Sequence, residues 1–172
     1  AAATIIFSYQ FTLADAITAV TWDGSGGASW TAPDTDADWE ATAGGAGEYD
    51  DGDDVTFDDA ATGTTNPVAI SGTVSPGSVT FDNSAADYLL RDGAVVGSGT
   101  ITKQGTGTAT IYNWSNFGTS TAVDFLGYTG AIDITEGTLQ LYAHTSGEVS
   151  GDLTMPTTAP GGIDIDGGTL RI

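Results

Sequence analysis

Six aspartates stand within ten positions, Asp50, Asp51, Asp53, Asp54, Asp58 and Asp59. Carboxylates at that density are natural ligands for a hard cation such as Ca²⁺, which takes six to eight oxygens. Asp51, Asp53 and Asp54, around Gly52, are the candidate metal ligands. The run lacks EF-hand spacing and lacks the Gly-Gly-x-Gly-x-Asp nonapeptide of calcium-binding repeats. The expectation is therefore a solvated acidic loop and no cofactor, with Ca²⁺ as the one ion the chain would otherwise take.

Other chemistry is scarce. Proton abstraction from an acidic sugar needs a base and cationic anchors, and Arg91, Lys103, His144 and Arg171 are the whole supply, spread over 80 positions. Glycoside hydrolysis needs two carboxylates at a set separation, but 23 acids make any single pair uninformative. No catalytic residue is assigned, and the chain is expected not to be an enzyme. Lys103 reads as a solvated side chain paired with a nearby carboxylate. Trp30 and Trp39 are candidate stacking platforms for carbohydrate; with Trp22 and Trp114 they more commonly fill a core or close an open end.

The elements that would carry these residues are strands. Ile163-Asp164-Ile165-Asp166-Gly167-Gly168-Thr169-Leu170-Arg171-Ile172 repeats Ile132-Asp133-Ile134-Thr135-Glu136-Gly137-Thr138-Leu139-Gln140-Leu141, 31 residues apart. Each copy is two short stretches of period-two alternation around a glycine turn, and such units usually stack. Ile132, Ile134, Leu139 and Leu141 should therefore align with Ile163, Ile165, Leu170 and Ile172. Val55-Thr56-Phe57-Asp58-Asp59 returns as Val79-Thr80-Phe81-Asp82-Asn83. Pro67 and Pro76 bracket a strand over 68–74, and 99–111 alternates around further glycines. Residues 24–66 read as loop-rich and acidic, with Val55–Asp59 a strand and acidic turn inside them. The fold expected is all-β, a right-handed parallel β-solenoid (β-helix) over 21–172 preceded by an extra N-terminal strand in 1–20.

That first segment differs from everything after it. Residues 1–23 hold no Gly or Pro, while Ile5, Phe7, Tyr9, Phe11 and Leu13 alternate with Thr4, Ser8, Gln10 and Thr12. Ile6 alone breaks the pattern. The stretch lacks the basic start and unbroken apolar run of a signal peptide, so it reads as an amphipathic strand.

A net charge of −20 repels nucleic acid and anionic membranes, and no apolar run approaches the roughly 18 residues of a membrane span. Neither nucleic-acid binding nor membrane insertion is expected. Cysteine is absent, so disulfides play no part.

Lys103-Gln104-Gly105-Thr106-Gly107-Thr108, Tyr128-Thr129-Gly130 and Glu136-Gly137-Thr138-Leu139-Gln140-Leu141 resemble the autotransporter-associated β-strand repeat. Trp22-Asp23-Gly24, the region of Trp39, and Gly52-Asp53-Asp54-Val55-Thr56-Phe57 are similar to the leader segments of such proteins. The resemblance spans roughly residues 21–141 and implies a secreted bacterial protein, extracellular or on the cell surface, with a right-handed parallel β-helix.

A stacked fold has two ends that must be capped or used. An amphipathic strand at one terminus suggests strand addition between copies, with Ile5, Phe7, Tyr9, Phe11 and Leu13 filling the acceptor. The function expected is an extracellular structural subunit of a filament or pilus-like fibre, a homopolymer built head to tail. The alternative is a cell-surface adhesin or carbohydrate-binding passenger domain, whose partner is a polysaccharide or a host or cell surface.

Overall fold

The computed structural model describes residues 18–41, 46–113, 128–143 and 162–171. The proposed N-terminal strand, Trp114, His144 and Ile172 lie outside the described residues.

The described chain is all strand and turn, with no helix. In order come β1 (Ala19–Trp22), β2 (Ser29–Trp30), β3 (Asp34–Ala41), β4 (Ala46–Tyr49), β5 (Asp54–Asp58), β6 (Val68–Ile70), β7 (Thr73–Val74) and β8 (Ser78–Asp82). Then follow β9 (Tyr88–Arg91), β10 (Ala94–Val95), β11 (Ile101–Gln104), β12 (Thr108–Asn113), β13 (Ile132–Ile134), β14 (Thr138–Ala143), β15 (Ile163–Ile165) and β16 (Thr169–Arg171). One sheet runs β15-β13-β11-β8-β5-β1-β3-β4, a second β16-β14-β12-β9-β6-β2, and a third is the pair β10-β7. Every pairing is parallel except those of β3 with β1 and β4.

The register explains why the sequence repeats. Val20, Val55, Val79, Ile101, Ile132 and Ile163 form one in-register column across the first sheet. Phe57, Phe81, Lys103, Ile134 and Ile165 form the next inward column. In the second sheet Val68, Leu90, Ile111 and Leu141 align, and so do Tyr88, Ala109, Leu139 and Leu170. Strand side chains alternate faces, so Thr21, Thr56, Thr80 and Thr102 line up on the outward face, only partly covered. Residues from both large sheets join one hydrophobic cluster. Both self-matches of the sequence are thus register pairs, Ile132 with Ile163 and Val55 with Val79.

Two expectations need correction. Part of the acidic loop over 24–66 is strand: β3 and β4 form an antiparallel hairpin whose β3 lies along β1, pairing Trp39 with Trp22. Its acids alternate at Asp34, Asp36, Asp38 and Glu40, the period of a strand. The single strand over 68–74 is two, β6 and β7, because Gly72 turns the chain at φ +82°, a conformation that only glycine adopts readily.

Candidate functional site

The two ends of the eight-stranded sheet differ in chemistry. Beside β1, the β3–β4 hairpin covers the ladder with aromatic rings. Trp39 stacks on Tyr49 at 5.5 Å, meets Trp22 edge-on at 5.0 Å, and meets Trp30 at 5.4 Å. Phe57 lies beneath, within 6 Å of Trp22, Trp30 and Trp39. At the other end β15 has β13 on one side and no strand on the other among the described residues. Ile163 and Ile165 are 40% and 47% exposed, whereas Ile132 and Ile134, one strand inward, are 4% and 1% exposed. They are the only large apolar residues found exposed among the described residues. An unpaired row of N–H and C=O groups beside an apolar pair is a template for another strand.

The three candidate ligands accept from donors of their own chain, backbone and side chain alike. Asp53 accepts from Thr18 N at 2.8 Å and from Asp50 N at 3.0 Å. Asp51 Oδ1 accepts from Ser75 N and from the Tyr49 hydroxyl, and Asp54 Oδ1 accepts from Ser78 Oγ at 2.7 Å. These three carboxylates thus bind different donors, and no group of three or more His, Cys, Asp or Glu among the described residues is arranged to hold a metal ion.

Sequence reasoning missed the aspartates that matter most locally. Asp38, wholly buried, accepts from Gly26, Gly27 and Ala28 N on Oδ1 and from Ser29 N on Oδ2. That shapes the turn into β2 and seats Trp30. Asp59 accepts from Ser84, Ala85 and Ala86 N, tying the turn after β8 to the turn after β5. Those N–H donors, Ala86 foremost, hold its carboxyl below the usual aspartate range. The Ser25 and Thr62 donors do the same for Asp23. No residue type signals these contacts: Asp23 and Asp59 stand just past β1 and β5, but Asp38 lies inside β3, so position at a strand end does not single them out.

Trp30 and Trp39 are both wholly buried. Neither offers a ring face to a sugar, since their area is spent on Trp22, Tyr49 and Phe57. The core role is the one the structure gives them.

Lys103 corrects a further expectation. It is not solvated but wholly buried, occupying the inward column between Phe81 and Ile134. Its alternation with Ile101 and Thr102 dictates that side. Nζ donates at 2.6 Å to both Gln104 O and Gly105 O, neutralising the turn carbonyls where β11 ends. Burial pushes its pKa down, against the opposing pull of Asp82, Glu136, Asp59 and Asp87. Next to it, buried Asn83 donates through Nδ2 to Ala86 O and Thr108 O. The phenol of Tyr128 similarly donates to Gly99 O and Ala131 O. These buried polar groups close turns.

No protein-family model, curated protein or solved structure matches this chain.

Proposed function

We propose that the chain is a right-handed parallel β-solenoid acting as an extracellular structural protein, the subunit of a filament joined head to tail by N-terminal strand addition. The supporting observation is the pair of long parallel ladders whose far strand leaves Ile163 and Ile165 exposed. Parallel strands in one sheet require crossover connections, and crossovers are right-handed in about 98% of cases. From β5 onward the chain alternates between the two large sheets, as in β5, β6, β8, β9, β11 and β12, with β7 and β10 of the third sheet between turns. Such a path supports a coil. The resemblance to the autotransporter-associated repeat supports a place outside the cell.

A row of in-register strands resists bending and extends by addition at its end. A head-to-tail contact is heterologous, so it does not close and generates a fibre. Size-exclusion chromatography with light scattering at neutral pH, followed by electron microscopy, tests the reading. Polymers of increasing mass and thin unbranched fibres are expected. A particle that stays monomeric as its concentration is raised would remove the filament and favour the adhesin reading.

A further inference from the structure

We propose that the acceptor in this assembly is the edge of β15 that no described strand covers, and that its occupant is residues 4–13 of a second copy. This rests on the filament reading and adds the identity of both contact surfaces.

The acceptor demands a particular kind of strand. Each inward pair along the first sheet is covered by inward side chains two residues apart on the next strand, apolar in every case but Lys103, as Ile132 and Ile134 are by Ile163 and Ile165. The strand that covers Ile163 and Ile165 must therefore alternate. Ile5, Phe7, Tyr9, Phe11 and Leu13 provide five consecutive alternate positions. Charge selects the same segment. On the outward face Asp133 pairs with Asp164, and a third carboxylate in that column would add like-charge repulsion. Residues 4–13 carry no charge in a chain of net −20.

Reach makes the contact intermolecular. Thr18 is fixed beside β5, accepting from Asp54 N at 2.9 Å and donating to Asp53 at 2.8 Å. A strand added beyond β15 stands six ladder steps from β1, by way of β5, β8, β11, β13 and β15. At roughly 4.8 Å a step that is about 29 Å. Leu13 precedes Thr18 by five residues, which extend to at most about 18 Å. Leu13 therefore cannot lie on its own chain's β15 edge, and a strand using all of residues 4–13 there comes from another copy.

The test uses two full-length double variants. Phe7→Asp with Phe11→Asp disables the donor, and Ile163→Asp with Ile165→Asp disables the acceptor. Both acceptor positions are solvent-exposed, so that variant should keep the wild-type circular dichroism spectrum. Each variant alone is expected to elute as a monomer, and an equimolar mixture as a 1:1 heterodimer that goes no further. Wild-type polymers with an acceptor variant that still polymerises would place the acceptor elsewhere while leaving the filament reading intact. A monomeric wild type would overturn both. Should a double variant fail to fold, the cysteine-free chain permits Ile165→Cys with Phe7→Cys. Oxidation should then give a ladder of disulfide-linked oligomers on a non-reducing gel, and monomers alone would overturn the assignment.

Discussion

Replacing Lys103 by Met keeps a long flexible side chain between Phe81 and Ile134 and deletes the buried ammonium. Two effects oppose each other. The two 2.6 Å bonds to Gln104 O and Gly105 O are lost, at about 1.5–3 kcal/mol each for a charged donor. Against this, the cost of keeping an ammonium out of water, several kcal/mol per ion, is recovered. The lowered pKa says that burial outweighs the attraction of Asp82, Glu136, Asp59 and Asp87. Lys103→Met should therefore change stability at pH 7 by no more than about 2 kcal/mol. The pH dependence separates the two effects. Native Lys103 gives up its proton before the unfolded chain does. Between its lowered native value and the ordinary lysine value of about 10.4, the unfolded state holds the extra proton and stability rises with pH, by at most about 1.4 kcal/mol per unit. Above about pH 10 the trend reverses. Burial raises Tyr49, Tyr88 and Tyr128, the last to about 12, so the unfolded chain ionises first and stability falls. Urea unfolding followed by tryptophan fluorescence across this range should show a rise and then a fall for the wild type. Lys103→Met should show only the fall. Equal slopes in both proteins, or a variant unfolded at pH 7, would refute the reasoning.

Further outcomes follow from contacts elsewhere. A Cβ at Gly137 would come within 2.3 Å of Gly105 O and 2.5 Å of Gly107 O, whereas one at Gly52 meets nothing within 4 Å. Both have positive φ, so Gly52→Ala should cost about 1–2 kcal/mol of backbone strain, and Gly137→Ala clearly more, by comparison of urea midpoints. Phe57→Ala removes a ring that meets Trp22, Trp30, Trp39, Phe81 and Tyr88. It should cost about 3–5 kcal/mol, a fall in Tm of at least about 6 °C at this size, read by near-UV circular dichroism. A chelator should leave Tm unchanged, because Asp51, Asp53 and Asp54 already accept from donors of their own chain. A drop of several degrees, restored by Ca²⁺, would show a bound cation.

The parallel strands were legible because one inward face imposes period-two alternation and stacking imposes repetition. Ile132-Asp133-Ile134 and Ile163-Asp164-Ile165 state both conditions at once, and they pair residue for residue. Lys103 satisfied the same alternation, but its side-chain type pointed to water. Its burial depends on Gln104 O and Gly105 O turning inward, a backbone detail with no residue code. The hairpin over β3 and β4 was hidden by acids at alternate positions, which look like a solvated run until Trp39 is seen facing Trp22. Asp38 and Asp59 were illegible for a third reason. Their value lies in which N–H groups a distant turn presents, and Gly26 to Ser29 or Ser84 to Ala86 advertise nothing by type.

The inward column also gives the molecule a direction. It runs Phe57, Phe81, Lys103, Ile134, Ile165, from an aromatic end to an aliphatic one with a single cation between. At the aromatic end Trp22, Trp30, Trp39 and Tyr49 interlock beneath an antiparallel hairpin. A strand replacing β3 on β1 would expose rings worth about 1.5–3 kcal/mol apiece, and one added outside β4, the edge strand at this end, would cover no exposed large apolar side chain among the described residues. At the aliphatic end an added strand displaces nothing among the described residues and covers Ile163 and Ile165. Stacked repeats are stabilised mainly by contacts between neighbours, so an added strand gains most where it covers Ile163 and Ile165. Growth of the proposed filament should therefore be polar, with the aliphatic edge receiving.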